Sequence, residues 1–156
     1  VSEQTPLPDG GSIHDRWVVF VRADDRSGAL TALAEMFSTR GISFTSFNTL
    51  VVGDGAGTMS ILFRSSERLA LVLARTLERL VVTQAVTLAR ASAPDVRAVA
   101  VVSGAPDGRI GPAAITPWGP GDTVLVAGAF HEVEGAIERM RPHGAVVESI
   151  TVLPPA

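Results

Sequence analysis

The chain has no cysteine, and Arg supplies all 13 of its basic residues, so there is no lysine either. Without Cys it can form no disulfide, offer no thiolate nucleophile and hold no Cys-ligated metal. Without Lys it has no Walker-type phosphate grip. A net charge of −3 and scattered Arg residues leave no basic footprint for nucleic acid. No apolar run approaches the ~20 residues that span a bilayer. Residues 1–14, with Pro6, Pro8, Gly10 and Gly11, lack the basic start and apolar centre of a secretion signal and read as a flexible tail. The default expectation is a cytoplasmic protein with no membrane and no nucleic-acid partner.

What is present suits a packed core. Hydrophobic residues make up 46% of the 156 positions and charged residues 19%, enough for one domain or two small ones. The stretch from Trp17 to Val52 sets the organisation. Trp17-Val18-Val19-Phe20-Val21 is a β-branched and aromatic strand. Asp24-Asp25-Arg26-Ser27-Gly28 then breaks it with turn-forming side chains. Leu30, Leu33, Ala34, Phe37 and Ser38 recur at helical spacing, and Arg40-Gly41 closes that helix. A polar loop thus feeds its N–H groups into a helix N-terminus beside two strands, a geometry suited to small anionic groups.

Thr45 to Val52 and Thr58 to Phe63 read as a hairpin around Gly53-Asp54-Gly55-Ala56-Gly57. This glycine run joins strand to strand, so it is a hairpin tip rather than a phosphate loop. Ser66-Glu67 can cap a second helix with a stripe of Leu69, Val72, Leu73, Thr76, Leu77 and Leu80. Val81 to Leu88 is a closing strand. The order β-α-β-β-α-β over residues 15–90 predicts an α+β, ferredoxin-like unit with both helices on one sheet face.

Residues 91–95 read as a linker, and residues 96–153 as a second, eroded copy. Strands are expected over Arg97–Ser103, Ala113–Thr116, Thr123–Ala129 and Val146–Val152, with a helix over His131–Arg141 stopped by Pro142-His143-Gly144. Between Gly104 and Gly121 the Gly and Pro content forbids an ordinary helix, so this unit lacks its first helix. Trp118, within that loop, is expected to plug the vacated space.

Asp24-Asp25-Arg26-Ser27-Gly28-Ala29-Leu30, Phe37-Ser38-Thr39-Arg40-Gly41 and Ser46-Phe47 together resemble the signature of ACT domains. The likeness is greatest to the small regulatory subunit of acetolactate synthase. Thr58-Met59-Ser60-Ile61 resembles that family's third strand. Val124-Leu125-Val126-Ala127-Gly128 and Ile137-Glu138-Arg139-Met140-Arg141-Pro142-His143-Gly144 look like the end of its C-terminal domain.

The resemblance implies a non-catalytic regulator that binds a branched-chain amino acid at an ACT homodimer interface. It also implies action on a thiamine-diphosphate-dependent catalytic subunit. Family ligand contacts come from the loop before the first helix and the start of the second strand. They fall here on Asp25, Gly28 and Ser43, and the peptide N–H groups around Ser27, Gly28 and Ala29 are expected to face the ligand in a cleft between paired copies. The family usually carries Asn where Asp25 and Ser43 stand. Asp25 can accept from an ammonium but cannot donate to a carboxylate, and Ser43 reaches less far.

Other readings of the same residues stay open. Gly28 can serve a tight turn as well as a ligand. Asp24 and Asp25 can be solvated turn residues that favour the helix dipole. His14, His131 and His143 have no metal-ligand spacing, no Ser lies in a Gly-x-Ser-x-Gly elbow, and no cofactor is expected. Two alternatives accompany the sensor: a ligand-free interaction module on the same fold, and a small enzyme for which no catalytic constellation is visible.

Overall fold

A computed structural model describes residues 15–25, 27–104 and 111–155, with backbone alone at Val51 and Val52. The tail over residues 1–14, together with His14 and Arg26, lies outside these, as does part of the Gly/Pro loop. The described elements are β1 (Arg16–Asp24), α1 (Ala29–Ser38), β2 (Phe44–Gly53), β3 (Ala56–Arg64), α2 (Glu67–Glu78) and β4 (Thr83–Arg90). These are followed by β5 (Arg97–Ser103), β6 (Ala114–Pro117), β7 (Val124–Ala129), α3 (Phe130–Met140) and β8 (Val146–Leu153).

The strands form two four-stranded antiparallel sheets, ordered β2-β3-β1-β4 and β6-β7-β5-β8. Substituting each strand of the first half by its counterpart in the second gives the same order, so the repeat expected from sequence is present in the topology. Among the described residues no helix joins β5 to β6.

Local chemistry accounts for the junctions. Asp54 (φ 54°) and Gly55 (φ 73°) both adopt left-handed backbone and close β2 onto β3 as a two-residue hairpin. Ser66 caps α2, its Oγ accepting from the Leu69 N–H at 3.3 Å. Gly28 (φ 87°) precedes α1 with no side-chain cap. In α3, the Glu132 carboxylate accepts from the Ala129 N–H at 3.2 Å, while Gly144 (φ 91°) ends the turn Arg141–His143 that follows.

Two helix faces differ from the sequence reading. In α1 the buried residues are Ala29, Leu33 and Phe37, while Leu30 and Ser38 are exposed. In α2 they are Ala70, Leu73, Ala74 and Leu77, and Val72 is exposed. In both, alanines face the sheet where bulkier neighbours were expected to. Close approach of helix and sheet favours the smaller side chain, and the bulkier one turns to the flank.

One core lies between the first sheet and its two helices. Phe37 meets Phe63 edge-on at 5.3 Å and Phe44 at 5.9 Å, with Leu33, Ile61, Leu73 and Leu77 around them. The second core is shared by both halves. Val18, Phe20 and Leu62, on the helix-free face of the first sheet, join Ala98, Ala100, Val102, Phe130, Val133 and Ile137 of the second half. Ala91, at the start of the expected linker, and Val96, the first residue after it, are buried in it. The Arg16 guanidinium is ion-paired with Glu134 of α3 and lies over the Phe130 ring at 5.2 Å. The Asn48 amide donates to the Ile150 carbonyl at 3.3 Å. Trp118 is 56% exposed at the β6–β7 hairpin tip, so it does not plug the second half. The Gly/Pro turn around it carries the ring out from the sheet.

Candidate ligand site at the start of the first helix

The loop between β1 and α1 is held by backbone on both sides. The Asp24 N–H donates to the Val82 carbonyl at 2.7 Å, and the Asp25 N–H to the Gly55 carbonyl at 2.8 Å. The Gln84 amide donates to Asp24 Oδ1 at 2.9 Å and is itself engaged through Oε1 by Arg22. These contacts pin the loop against the β2–β3 hairpin and β4. Gly28 then turns the chain into α1 and accepts from the Ala32 N–H at 2.9 Å. The first N–H groups of a helix have no intrahelical acceptor. With no side-chain cap on α1, those of Ala29, Leu30 and Thr31 stand at the head of the helix.

A pocket of about 150 Å³ lies at this point. Asp24, Asp25, Ala29 and Leu30 line it from the loop and helix, with Ala23, Thr49, Gly57 and Met59 from the sheet. It therefore combines carboxylates, uncapped helix N–H groups and a small apolar wall of Ala23, Leu30 and Met59. Such a site can pair with a cationic group, an anionic group and a short aliphatic body at once. Its size is below the ~300–1,000 Å³ of drug-sized sites and suits a metabolite.

Of the residues singled out from sequence, Asp25 and Ala29 line this pocket. Ser27 and Gly28 are exposed in the adjoining turn. Ser43 is not there. It precedes β2, whose residue Phe44 pairs with Phe63, whereas Asp24 pairs with Ala56 at the other end of β3.

Leu30, Thr49, Gly57 and Met59 were missed as site residues. The antiparallel register that opposes Thr49 to Met59 brings the strand residues to the loop; an irregularity between Thr49 and Val51 sets that register, and the hairpin position alone would have opposed Thr49 to Ser60. His131 and His143 are exposed. Among the described residues, no three His, Asp or Glu side chains stand together in a way that could hold a metal ion. No helix among them is long and apolar enough to cross a membrane.

No protein-family model matches the chain, and no curated protein matches its sequence. Solved structures do match. The acetolactate synthase small subunit from Thermotoga maritima superposes with a TM-score of 0.62 at 17% identity, over 90% of this chain and 94% of that one. The chain has the fold of that small subunit. The regulatory subunit of aspartate kinase from Thermus thermophilus, in its ligand-free form, matches with a TM-score of 0.50 at 14% identity, over 86% of this chain and 95% of that one. Both are ACT-domain proteins. The ACT resemblance stated from the sequence therefore holds at the level of fold, across both halves.

Within the ACT fold, the Phe-Ser-x-Arg-Gly motif has a structural role. Phe37 is fully buried. Arg40 donates to Thr76 Oγ1 at 3.0 Å and so ties α1 to α2. Gly41 (φ 63°) turns the chain toward β2. The motif specifies how the two helices sit on the sheet rather than what binds beside them.

Proposed function

We propose that this chain is a non-catalytic regulatory protein of the acetolactate synthase small-subunit type. Residues 15–90 act as its sensing ACT unit and residues 96–153 as a degenerate second unit. It binds a small amino acid and modulates a partner enzyme, a thiamine-diphosphate-dependent catalytic subunit. The observation that carries this is the pocket at the head of α1, where Asp25, uncapped helix N–H groups and an apolar wall adjoin. The ligand's carboxylate meets the N–H groups around Gly28 and Ala29, its ammonium meets Asp25, and its side chain lies on Leu30 and Met59. With Asp25 in place of Asn, the ammonium is the better-held end.

The site is completed by a second copy. Strand β2 is an edge of its sheet, and edges of this length are normally covered. Antiparallel pairing of two β2 edges about a two-fold axis brings the Ser43 end of one copy beside the hairpin end of the other. That is where Asp25 stands. The ligand favours this dimer through its higher affinity for it, and the partner enzyme responds to the dimer's arrangement.

Calorimetry with valine, leucine and isoleucine, together with sedimentation, tests the reading. Saturable binding accompanied by dimer formation is expected. A monomer that binds none of them at about 10 mM would discard it. The Asp25 and Ser43 departures support a second reading, an interaction module with a vestigial site. Unchanged partner binding without any amino-acid response would select it.

A further inference from the structure

The second sheet turns one face to α3 and one away from it. Ala98, Ala100, Val102 and Val126 point into the shared core. Alternation and register therefore put Val99 and Val101 of β5 on the other face, beside Leu125 and Ala127 of β7. These four are only half-buried and belong to neither core. The described helices pack elsewhere, α1 and α2 on the first sheet and α3 on the opposite side. An apolar sheet face of this extent is seldom left in water.

Its two ends differ in charge and in bulk. Arg97, exposed, stands at the start of β5 on this face. At the other end, Glu148 lies opposite the Val101–Val102 irregularity and accepts from the Ser103 hydroxyl. The Trp118 N–H donates to the Thr123 carbonyl at 2.9 Å, which extends the β6–β7 ladder by one pair. Alternation then assigns the exposed Trp118 to the same face, at the Glu148 end. At the Arg97 end, β6 and β7 offer only Ala114 and Ala127.

We propose that this face is an interaction surface whose occupant is a second copy of the chain, stacked sheet on sheet. A half-turn about an axis in the sheet plane and across the strands lays each end on the other. Each Glu148 then meets the other copy's Arg97, and each Trp118 lies on the other copy's Ala114 and Ala127. A half-turn about an axis along the strands would instead bring like charges together, so the first arrangement is the favoured one. Four strands about 4.8 Å apart and seven residues at about 3.3 Å each give a face of roughly 440 Å². Two such faces with both Trp rings bury about 1,100 Å², enough for a specific but weak dimer. The inference goes beyond the amino-acid reading and uses neither the β2 edge nor the pocket at the head of α1. A chain that uses both this face and the β2 edge assembles beyond a dimer.

Sedimentation equilibrium of the full chain without amino acid, from about 1 to 500 μM, tests this. A mass that rises with concentration is expected. Leu125→Glu, at the centre of the face, abolishes that rise, with circular dichroism reporting that the fold is kept. Trp118→Ala, at an exposed hairpin tip, weakens association about tenfold. Arg97→Glu and Glu148→Arg each weaken it several-fold, and the double variant returns to within about threefold of the wild type. A mass independent of concentration, or a rise that survives Leu125→Glu in a folded protein, would overturn the proposal. So would a double variant no better than either single one. Stronger association after removal of residues 1–14 would make that segment the occupant instead.

Discussion

Asp25 and Ser43 lie at opposite ends of the first sheet. The β3 residues opposite their neighbours, Ala56 and Phe63, are seven positions apart, or about 24 Å along the strand. No single ligand of metabolite size touches both within one chain. Paired about a two-fold through β2, two copies bring each Asp25 to the other's Ser43. The expected outcome is complementation. Asp25→Arg and Ser43→Arg homodimers each lose amino-acid binding, while their heterodimer carries one doubly damaged site and one intact site. Calorimetry on the purified heterodimer should recover about half the wild-type stoichiometry. Zero recovery would show that Asp25 and Ser43 do not form one site across the two-fold axis.

Gly28 sits at φ 87°, and a Cβ built there meets no atom within 4 Å. Gly28→Ala therefore costs stability through backbone conformation alone, about 1–2 kcal/mol. Urea unfolding should show a lower midpoint with an unchanged slope. An unshifted midpoint would mean that the loop relaxes out of the left-handed region, and the turn would then owe nothing to glycine.

These two residues also mark where the sequence was informative. Spacing and turn chemistry alone gave both helices and the hairpin of the first unit, because Asp54-Gly55 and Ser66 act through contacts only a few residues long. The strand order of the second unit was equally legible once the repeat was noticed. Partnerships between distant segments were not. The shared core that joins Val18 and Phe20 to Phe130 depends on which sheet face meets which helix, and the unbroken apolar run in β1 reads as buried on both faces without naming the neighbour. Trp118 was misplaced for the same reason: an aromatic in a Gly/Pro loop carries no local signal of which way it points. In the site, Asp25 was reached through the ACT resemblance and Ala29 through the turn that opens α1, whereas Thr49 and Met59 arrive only through strand register.

Ser60 is 1% exposed, and its hydroxyl has no hydrogen-bond partner among the described residues. It faces the shared core beside Leu62 and opposite Phe20. A buried hydroxyl without a partner costs about 1–3 kcal/mol. Ser60→Ala removes the polar atom with almost no change in volume, so it should raise stability by about 1 kcal/mol. Thermal or urea unfolding measures this directly. A destabilised Ser60→Ala would show that the hydroxyl is engaged in solution.

Phe37 anchors the first core by edge-on contacts with Phe44 and Phe63. Phe37→Ala leaves a cavity among rings that cannot collapse without moving α1, so a loss of about 3–5 kcal/mol is expected. Phe37→Leu should recover more than half of it. If Phe37→Ala costs under about 1 kcal/mol, α1 is not packed as described.

Arg16 and Glu134 join the two halves through an ion pair that is about 29% and 27% exposed at its side chains, with the guanidinium also over Phe130. Partial burial strengthens the attraction beyond that of a surface pair but leaves some solvation to both groups. A double-mutant cycle of Arg16→Ala and Glu134→Ala should therefore give a coupling of about 1–2 kcal/mol. Arg16→Ala alone should cost more than Glu134→Ala, because it also removes the contact with the ring. Salt should weaken the coupling only in part, since the pair is shielded by both halves. Equal single-mutant losses with no coupling would indicate that the halves are held by the apolar core alone, and the pair would then contribute nothing to their arrangement.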